Sequence, residues 1–287
     1  MKRTLPILSV VAMIVAVWYV AAVWMNAAWV YDQAARAETE VTASQVLVAT
    51  LNQERPVLPT PHQVMTELVK STLGLKITSK KSLVFHGWVT ISATLLGFVI
   101  GTTAGILLAV GLVFNRAMDM SVMPWAIASQ TIPILAIAPM IIVVLNSVGL
   151  TGLIPKAMIS AYLSFFPVVV GMVKGLRSPD GMQLDQLQTY SASGWQTFWK
   201  LRLPSSMPYL FTSLKVGVAA SLVGTIVGEL PTGAVAGLGA RLLSGSYYGQ
   251  TVQIWAALFA AALLAAGLVA TIGVIERVSL RRMGMAR

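Results

Sequence analysis

Residues 88–114 read WVTISATLLGFVIGTTAGILLAVGLVF, with no charged side chain from end to end. A helix needs about 20 apolar residues to cross the hydrocarbon core of a bilayer, and this run is longer than that. Gly97, Gly101 and Gly105 recur inside it every four positions. That spacing leaves a flat groove on one helix face, where a neighbouring helix can approach closely. Gly224 and Gly228 repeat the interval later in the chain. Backbone groups in lipid must bond internally, so such a stretch is helical.

The rest of the chain follows the same rule. It has 287 residues, 56% hydrophobic and 10% charged, whereas soluble domains carry about 25% charged residues. The mean hydropathy is +0.77. Further apolar runs cover about Leu5–Tyr31, Val122–Leu145, Leu153–Val173, Tyr209–Leu230 and Thr251–Ile275. The expected fold is an all-α membrane protein with about six transmembrane helices.

The first run follows Lys2 and Arg3 and contains Trp18, Trp24 and Trp29. A cleaved signal has an apolar region of only about 7–15 residues, so residues 1–31 are read as a retained N-terminal transmembrane helix. Residues 32–84 form a polar loop in which Pro56, Pro59 and Pro61 break any helix. After Pro61, the spacing of Val64, Leu68 and Leu75 predicts a short amphipathic helix at the membrane surface. Residues 85–280 make a core of five spans with a long polar and aromatic connector at 174–208, and residues 281–287 form a tail. With an even number of spans both ends share one side, and that side holds 12 Lys and Arg against 8 on the other. Six of those eight lie in the 32–84 loop beside five acids. The bias places both termini in the cytoplasm and the loop on the periplasmic face.

Several function classes are excluded. The chain has no cysteine and only His62 and His86, so disulfide, thiolate and histidine metal sites are not expected. Basic residues such as Arg277, Arg281, Arg282 and Arg287 sit at the ends of apolar runs, where they act as topology signals rather than a nucleic-acid surface. No GxxxxGK[ST] stretch, nucleophile elbow, Ser/His/Asp set or HExxH occurs, so the chain is not expected to be an enzyme or to bind nucleotide through a P-loop. Glu229 and Lys215 lie near the ends of their span, and no acid pair is buried. Ion-driven carriers usually place ionisable groups or broken helices at the midplane. An external energy source is therefore favoured, with an ion-coupled secondary transporter as the alternative.

The connector carries the chemistry. Residues 178–210 read SPDGMQLDQLQTYSASGWQTFWKLRLPSSMPYL. Leu184, Leu187, Ser191, Trp195 and Phe198 follow helical steps, with Trp199 beside them. A helix with a bulky aromatic face outside the membrane must bury that face: on lipid headgroups, on the protein's own helices, or on a partner. Pro204 and Pro208 are expected to end it.

The connector resembles the cytoplasmic coupling loop of permease subunits in ATP-binding-cassette importers, which has an acid–Ala–Ala start, a Gly four residues later and a Leu-Pro end. Leu203-Pro204 and Gln196–Lys200 match; Asp185-Gln186-Leu187 and Ser191 replace the start and the Gly. Leu58-Pro59-Thr60-Pro61, Gly87–Gly111, Pro133–Pro139, Phe166-Pro167 and Glu229 followed by Gly237-Leu238-Gly239 are similar to the nitrate/sulfonate/taurine branch. The resemblance implies a type I importer permease core in the inner (plasma) membrane that works as a pair. It has no cofactor of its own, because ATP is bound by a separate ATPase subunit. A periplasmic or lipid-anchored substrate-binding protein delivers a small organic solute. It also implies that the 185–200 helix, with Asp185, Leu187, Ser191, Trp195, Phe198, Trp199, Leu203 and Pro204, sits in a groove on the ATPase. The stretch from Gly228-Glu229-Leu230-Pro231 to Tyr248 resembles relatives linked to nitrogen heterocycles such as pyrimidines.

Gln130, Thr131, Asn146, Tyr162, Ser221 and Thr225 are polar groups within apolar spans. They are candidates for a central translocation path, although Ser and Thr in membrane helices also bond back to a helix. Glu229 joins them, since a carboxylate near a span end is expensive unless paired. Holding the Gly233–Gly239 loop at an outer gate is a second role open to it.

Overall fold

The computed structural model describes residues 4–231 and 234–285. Lys2, Arg3 and Arg287 of the charge count, Gly233 of the loop and the end of the 281–287 tail lie outside the described residues. Among the described residues all regular structure is helical. Five helices are long and apolar enough to cross a membrane, or six if one bent pair is a single span. The chain divides into two compact units, one up to His86 plus Ala240–Ala261, the other Gly87–Gly239 plus Ala262 onward.

In the first unit, α1 spans Thr4–Arg36, α2 Ala43–Leu51 and α3 Pro61–Leu73. Asn26 lies fully buried in α1. Its Oδ1 accepts from the backbone N–H groups of Val57 (2.8 Å) and Leu58 (3.2 Å), and its Nδ2 donates to Leu58 O at 2.9 Å. Trp18 Nε1 donates to Pro59 O at 3.0 Å. The Leu58-Pro59-Thr60-Pro61 segment is thus strapped to α1 by the polar groups that its non-helical backbone requires. Thr60 and Gln63 then form a capping box, and Pro61 takes the first position of α3, where its missing N–H costs nothing. Pro61 therefore starts a helix.

The unit departs from expectation in two places. Helix α1 continues through residues 32–36, because the lipid boundary ends the apolar run but not the backbone ladder. The 32–84 loop also holds a second helix, α2, which Thr42 and Gln45 cap. The remainder of the unit comprises most of α11 (Leu238–Tyr247) and the first part of α12 (Thr251–Arg282). Trp18 stacks on Phe259 of α12 with ring centroids 5.8 Å apart. Arg281 and Arg282, expected in a tail, form the last turn of α12, where cations suit the helix dipole.

The second unit is organised by α4 (Leu83–Phe114), α7 (Leu153–Leu176) and α10 (Leu203–Glu229). A Cβ added at Gly97 would fall 2.5 Å from Ser160 Cβ of α7, and one at Gly105 would meet Val168 at 3.0 Å. Gly224 of α10 faces the Ser160 backbone just as closely. The regular glycine spacing therefore brings both helices onto α7. Hydrogen bonds reinforce the seam: Ser160 Oγ donates to Ser221 O at 2.9 Å, and Ser221 Oγ donates to Thr94 O at 3.0 Å. Such bonds contribute about 0.6 kcal/mol each in a membrane, so close packing dominates. At one end, Ala109, Leu112, Val168, Met172, Leu176 and Leu210 close an apolar core.

The run expected as one span at Val122–Leu145 is broken. Helices α5 (Arg116–Ser129) and α6 (Ile134–Ser147) meet at 99°. Pro133 disfavours helical backbone at the residue before it and supplies no N–H. The freed backbone is met locally, with Thr131 Oγ1 donating to Ala128 O at 2.8 Å and the Tyr162 hydroxyl donating to Ser129 O.

Candidate coupling face and polar clasp

The 174–208 connector folds as two helical pieces, not one helix over 185–200. Helix α8 covers Gly181–Thr189, and α9 covers Gly194–Thr197. Between them Ser191 adopts φ +54°, the left-handed region that glycine enters without strain. This is the position where the resemblance leads to an expected Gly. Ser193 and Gln196 restart the chain with a capping box: Ser193 N donates to Gln196 Oε1 at 2.9 Å. Helix α9 then passes through a π-turn, Phe198–Arg202, directly into α10. Pro204 and Pro208 end nothing; Pro204 occupies the first turn of α10 and Pro208 lies inside it.

The π-turn divides the aromatic face. Phe198 is 8% exposed and sits in the core beside Leu112, Met172 and Leu176, edge-on to Phe114 at 5.6 Å. Trp195 and Trp199 remain 70% and 50% exposed. Of the three aromatics expected to face a partner, one is a foot planted in the protein itself. A π-turn admits one extra residue per turn, which breaks the i, i+3, i+4 spacing. Met182 and Tyr190 of the same connector are also exposed. Both went unread in the sequence, since neither lies on the assumed stripe. Asp185 and Ser191 are exposed, while Leu187, Leu203 and Pro204 are half-buried. Arg202 Nη1 donates to Leu176 O at 2.9 Å, and Arg177 pairs with Asp119 at 2.8 Å. These contacts brace the base of the ledge.

Asn146 lines a small separate cavity with Lys156 and Pro231; five of the other candidate path residues fall into two groups. Gln130 and Thr131 sit at the α5–α6 break, next to Ser129, the residue to which Tyr162 is tied. Tyr162 also lines a cavity of about 510 Å³, together with Ile100, Met140, Val144, Met158 and Phe165. Among the described residues no charged side chain lines it. Ser221 and Thr225, by contrast, are fully buried in the α4–α7–α10 seam, with Thr225 Oγ1 3.0 Å from Thr94 Oγ1.

Glu229 belongs to a third arrangement, a clasp. It is fully buried at the end of α10. Thr90 Oγ1 of α4 lies 3.0 Å from both carboxylate oxygens and donates to them. Gly239 N donates to Oε2 at 2.9 Å, and Lys156 Nζ of α7 stands 3.8 Å from Oε1. Thr90 Oγ1 also accepts from Leu238 N at 2.9 Å, and Lys156 Nζ donates to Ala236 O at 3.0 Å. The loop and the start of α11 are therefore tied at three points, Ala236, Leu238 and Gly239. Gly237 holds φ +128°, and a Cβ there would collide with the Glu229 carboxylate. Neither Thr90 nor Lys156 gave a signal in sequence: Thr90 sits in an apolar run, and Lys156 reads as a topology charge.

Comparison with known proteins identifies the family. Residues 101–285 match the family model described as binding-protein-dependent transport system inner membrane component. The formylaminopyrimidine transport permease protein ThiX of Halalkalibacterium halodurans is 30% identical, over 63% of this chain and 68% of that protein. The riboflavin transport system permease protein RibX of Chloroflexus aurantiacus is 31% identical, over 68% and 71% respectively. The taurine transport system permease protein TauC of Escherichia coli K12 is 24% identical, over 76% and 78%. A multi-pass, all-helical chain with this match is a permease, and it belongs to the binding-protein-dependent transport system inner membrane component family of ATP-binding-cassette importers.

Proposed function

We propose that the chain is the membrane-spanning permease subunit of an ATP-driven importer. It pairs with a second copy of itself in the lipid of the inner membrane, with both termini cytoplasmic. A separate ATPase grips the α8–π-turn ledge, and a substrate-binding protein delivers solute on the opposite face. The observation that carries this reading is the ledge itself. Trp195 and Trp199 stand exposed at the start of the Gly194–Glu229 helical run, ahead of its apolar Tyr209–Leu230 stretch, with buried Phe198 packed beside them. Aromatic anchors of this kind dominate protein interfaces.

The solute is read as a small, neutral, flat nitrogen heterocycle. Both relatives quoted at 30% identity or above carry such a compound in their names. The uncharged cavity lined by Met140, Met158, Tyr162 and Phe165 supports it, since it offers polarisable and aromatic surface but no cation for nitrate or a sulfonate.

Replacing Trp199 with Asp tests the coupling. The variant should reach the membrane but lose copurification of the ATPase, because an unpaired charge would be buried at the contact. Copurification and uptake at parental levels would remove Trp199 from the interface. Uptake that survives ATP depletion but not collapse of the ion gradient would overturn the ATP-driven reading.

A further inference from the structure

The helical path that begins at Gly194, next to Trp195, runs for 36 residues without a break to Glu229. At 1.5 Å per residue it is a rod of roughly 54 Å. One end carries the exposed tryptophans of the ledge, and the other carries the carboxylate of the clasp. Gly171 and Gly175 of α7 face Ser213 and Ser206 of the rod with no room for a Cβ, and Gly224 and Gly228 of the rod face α7 in turn. Interlocked this closely, the rod and α7 pack as one unit.

We propose that Glu229 is the latch of a gate on the side opposite the ledge. Its carboxylate holds the Ala234–Gly239 loop shut, and movement of the rod withdraws the carboxylate and frees the loop. The proposal rests on the reading of the ledge as the ATPase contact. The clasp has the chemistry of a latch. Its members come from α4, α7, α10 and the segment that leads into α11, so a relative shift of about 1.5 Å, one residue's rise, would break hydrogen bonds of 2.9–3.0 Å together. A buried ion pair is a poor device for plain stability, because desolvation offsets much of its attraction. The loop has also been shaped to the carboxylate: Gly237 and Gly239 lie where any side chain would strike Glu229. Thr90 has a double role, donating to the carboxylate and accepting from the loop. Glu229 acts here as a positioning residue and needs no contact with solute.

The absence of cysteine from the chain makes the test direct. Single cysteines are placed at Ala236, half-buried in the clasp, and at Val235, 82% exposed beside it. The intact complex with its ATPase is reconstituted in sealed vesicles and labelled from the side opposite the ATPase with an impermeant maleimide. Val235→Cys should react in every state. Ala236→Cys should react slowly without nucleotide and at least about tenfold faster once ATP and vanadate trap the ATPase, the size of one lost charge-assisted hydrogen bond. In the Glu229→Gln and Thr90→Val backgrounds it should react fast without nucleotide, whereas Thr90→Ser, which keeps the hydroxyl, should match the parent. Equal Ala236→Cys rates in all nucleotide states, or slow labelling in Glu229→Gln, would overturn the latch. Failure of Val235→Cys to react at all would overturn the sidedness on which the latch depends, and so tell the two failures apart.

Discussion

Phe198 and Trp199 are neighbours with opposite surroundings, and one turn of backbone decides which is which. Phe198 fills space beside Met172 and Leu176, and Trp199 does not. Truncating a buried Phe to Ala costs about 3–5 kcal/mol, from lost transfer energy and the cavity left behind. Exposed positions away from special features stay within about 0.5 kcal/mol. Phe198→Ala should therefore lower the melting temperature of the purified subunit clearly, whereas Trp199→Ala should leave it near the parent's and weaken ATPase binding instead. A Phe198→Ala protein that melts with the parent would place that ring outside the core. The sequence offered no means of separating the two residues. The added residue of a π-turn changes neither composition nor hydropathy.

Among the elements, those with a local signature were legible and those that depend on direction were not. The glycines at 97, 101 and 105 announce a close helix contact in their spacing, and α7 supplies it. The capping pairs at Thr42–Gln45 and Ser193–Gln196 mark the starts of two helices that the hydropathy reading missed. The left-handed Ser191 and the corner at Gln130–Pro133 left no such mark, because a hydropathy window records how apolar a run is and not where it points. The clasp was half legible. Glu229 stood out as an expensive carboxylate, but its partners Thr90 and Lys156 lie 139 and 73 positions away, and nothing local joins them. Close packing at α4–α7 leads to a contrast between two glycines of one helix. A methyl at Gly101 would press within 2.6 Å of the rigid Ala161 carbonyl, and overpacking of this kind costs about 1–3 kcal/mol. A methyl at Gly111 would meet only the flexible end of Met118, and Ala gains up to about 1 kcal/mol over Gly in helix propensity. Gly101→Ala should reduce the yield of folded, monodisperse protein in detergent, whereas Gly111→Ala should equal or exceed the parent. Equal yields would mean that α4 does not sit against α7 as described.

For the molecule as a whole, the number of spans rests on α5 and α6. Each has 14 residues, or about 21 Å of helix, too short to cross a hydrocarbon core of about 30 Å alone. Joined at 99° and tilted equally, the two together reach about 27 Å in depth, close to a full crossing. The bend is compatible with lipid because its loosened backbone is satisfied from Thr131 and Tyr162, as broken helices require. Its two flanks also differ. Arg116 starts α5, with Asp119 paired to Arg177 nearby, while α6 runs out into the uncharged turn at Gly149–Gly152. The pair should therefore count as one span, giving six. Cysteines at Ala117, before α5, and Thr151, after α6, both exposed, should then label from opposite sides of the membrane. Labelling of both from the same side would make α5–α6 a re-entrant hairpin and reduce the count to five. It would also invert the sidedness of everything after Gly152, carrying the tryptophan ledge to the face that no ATPase can reach.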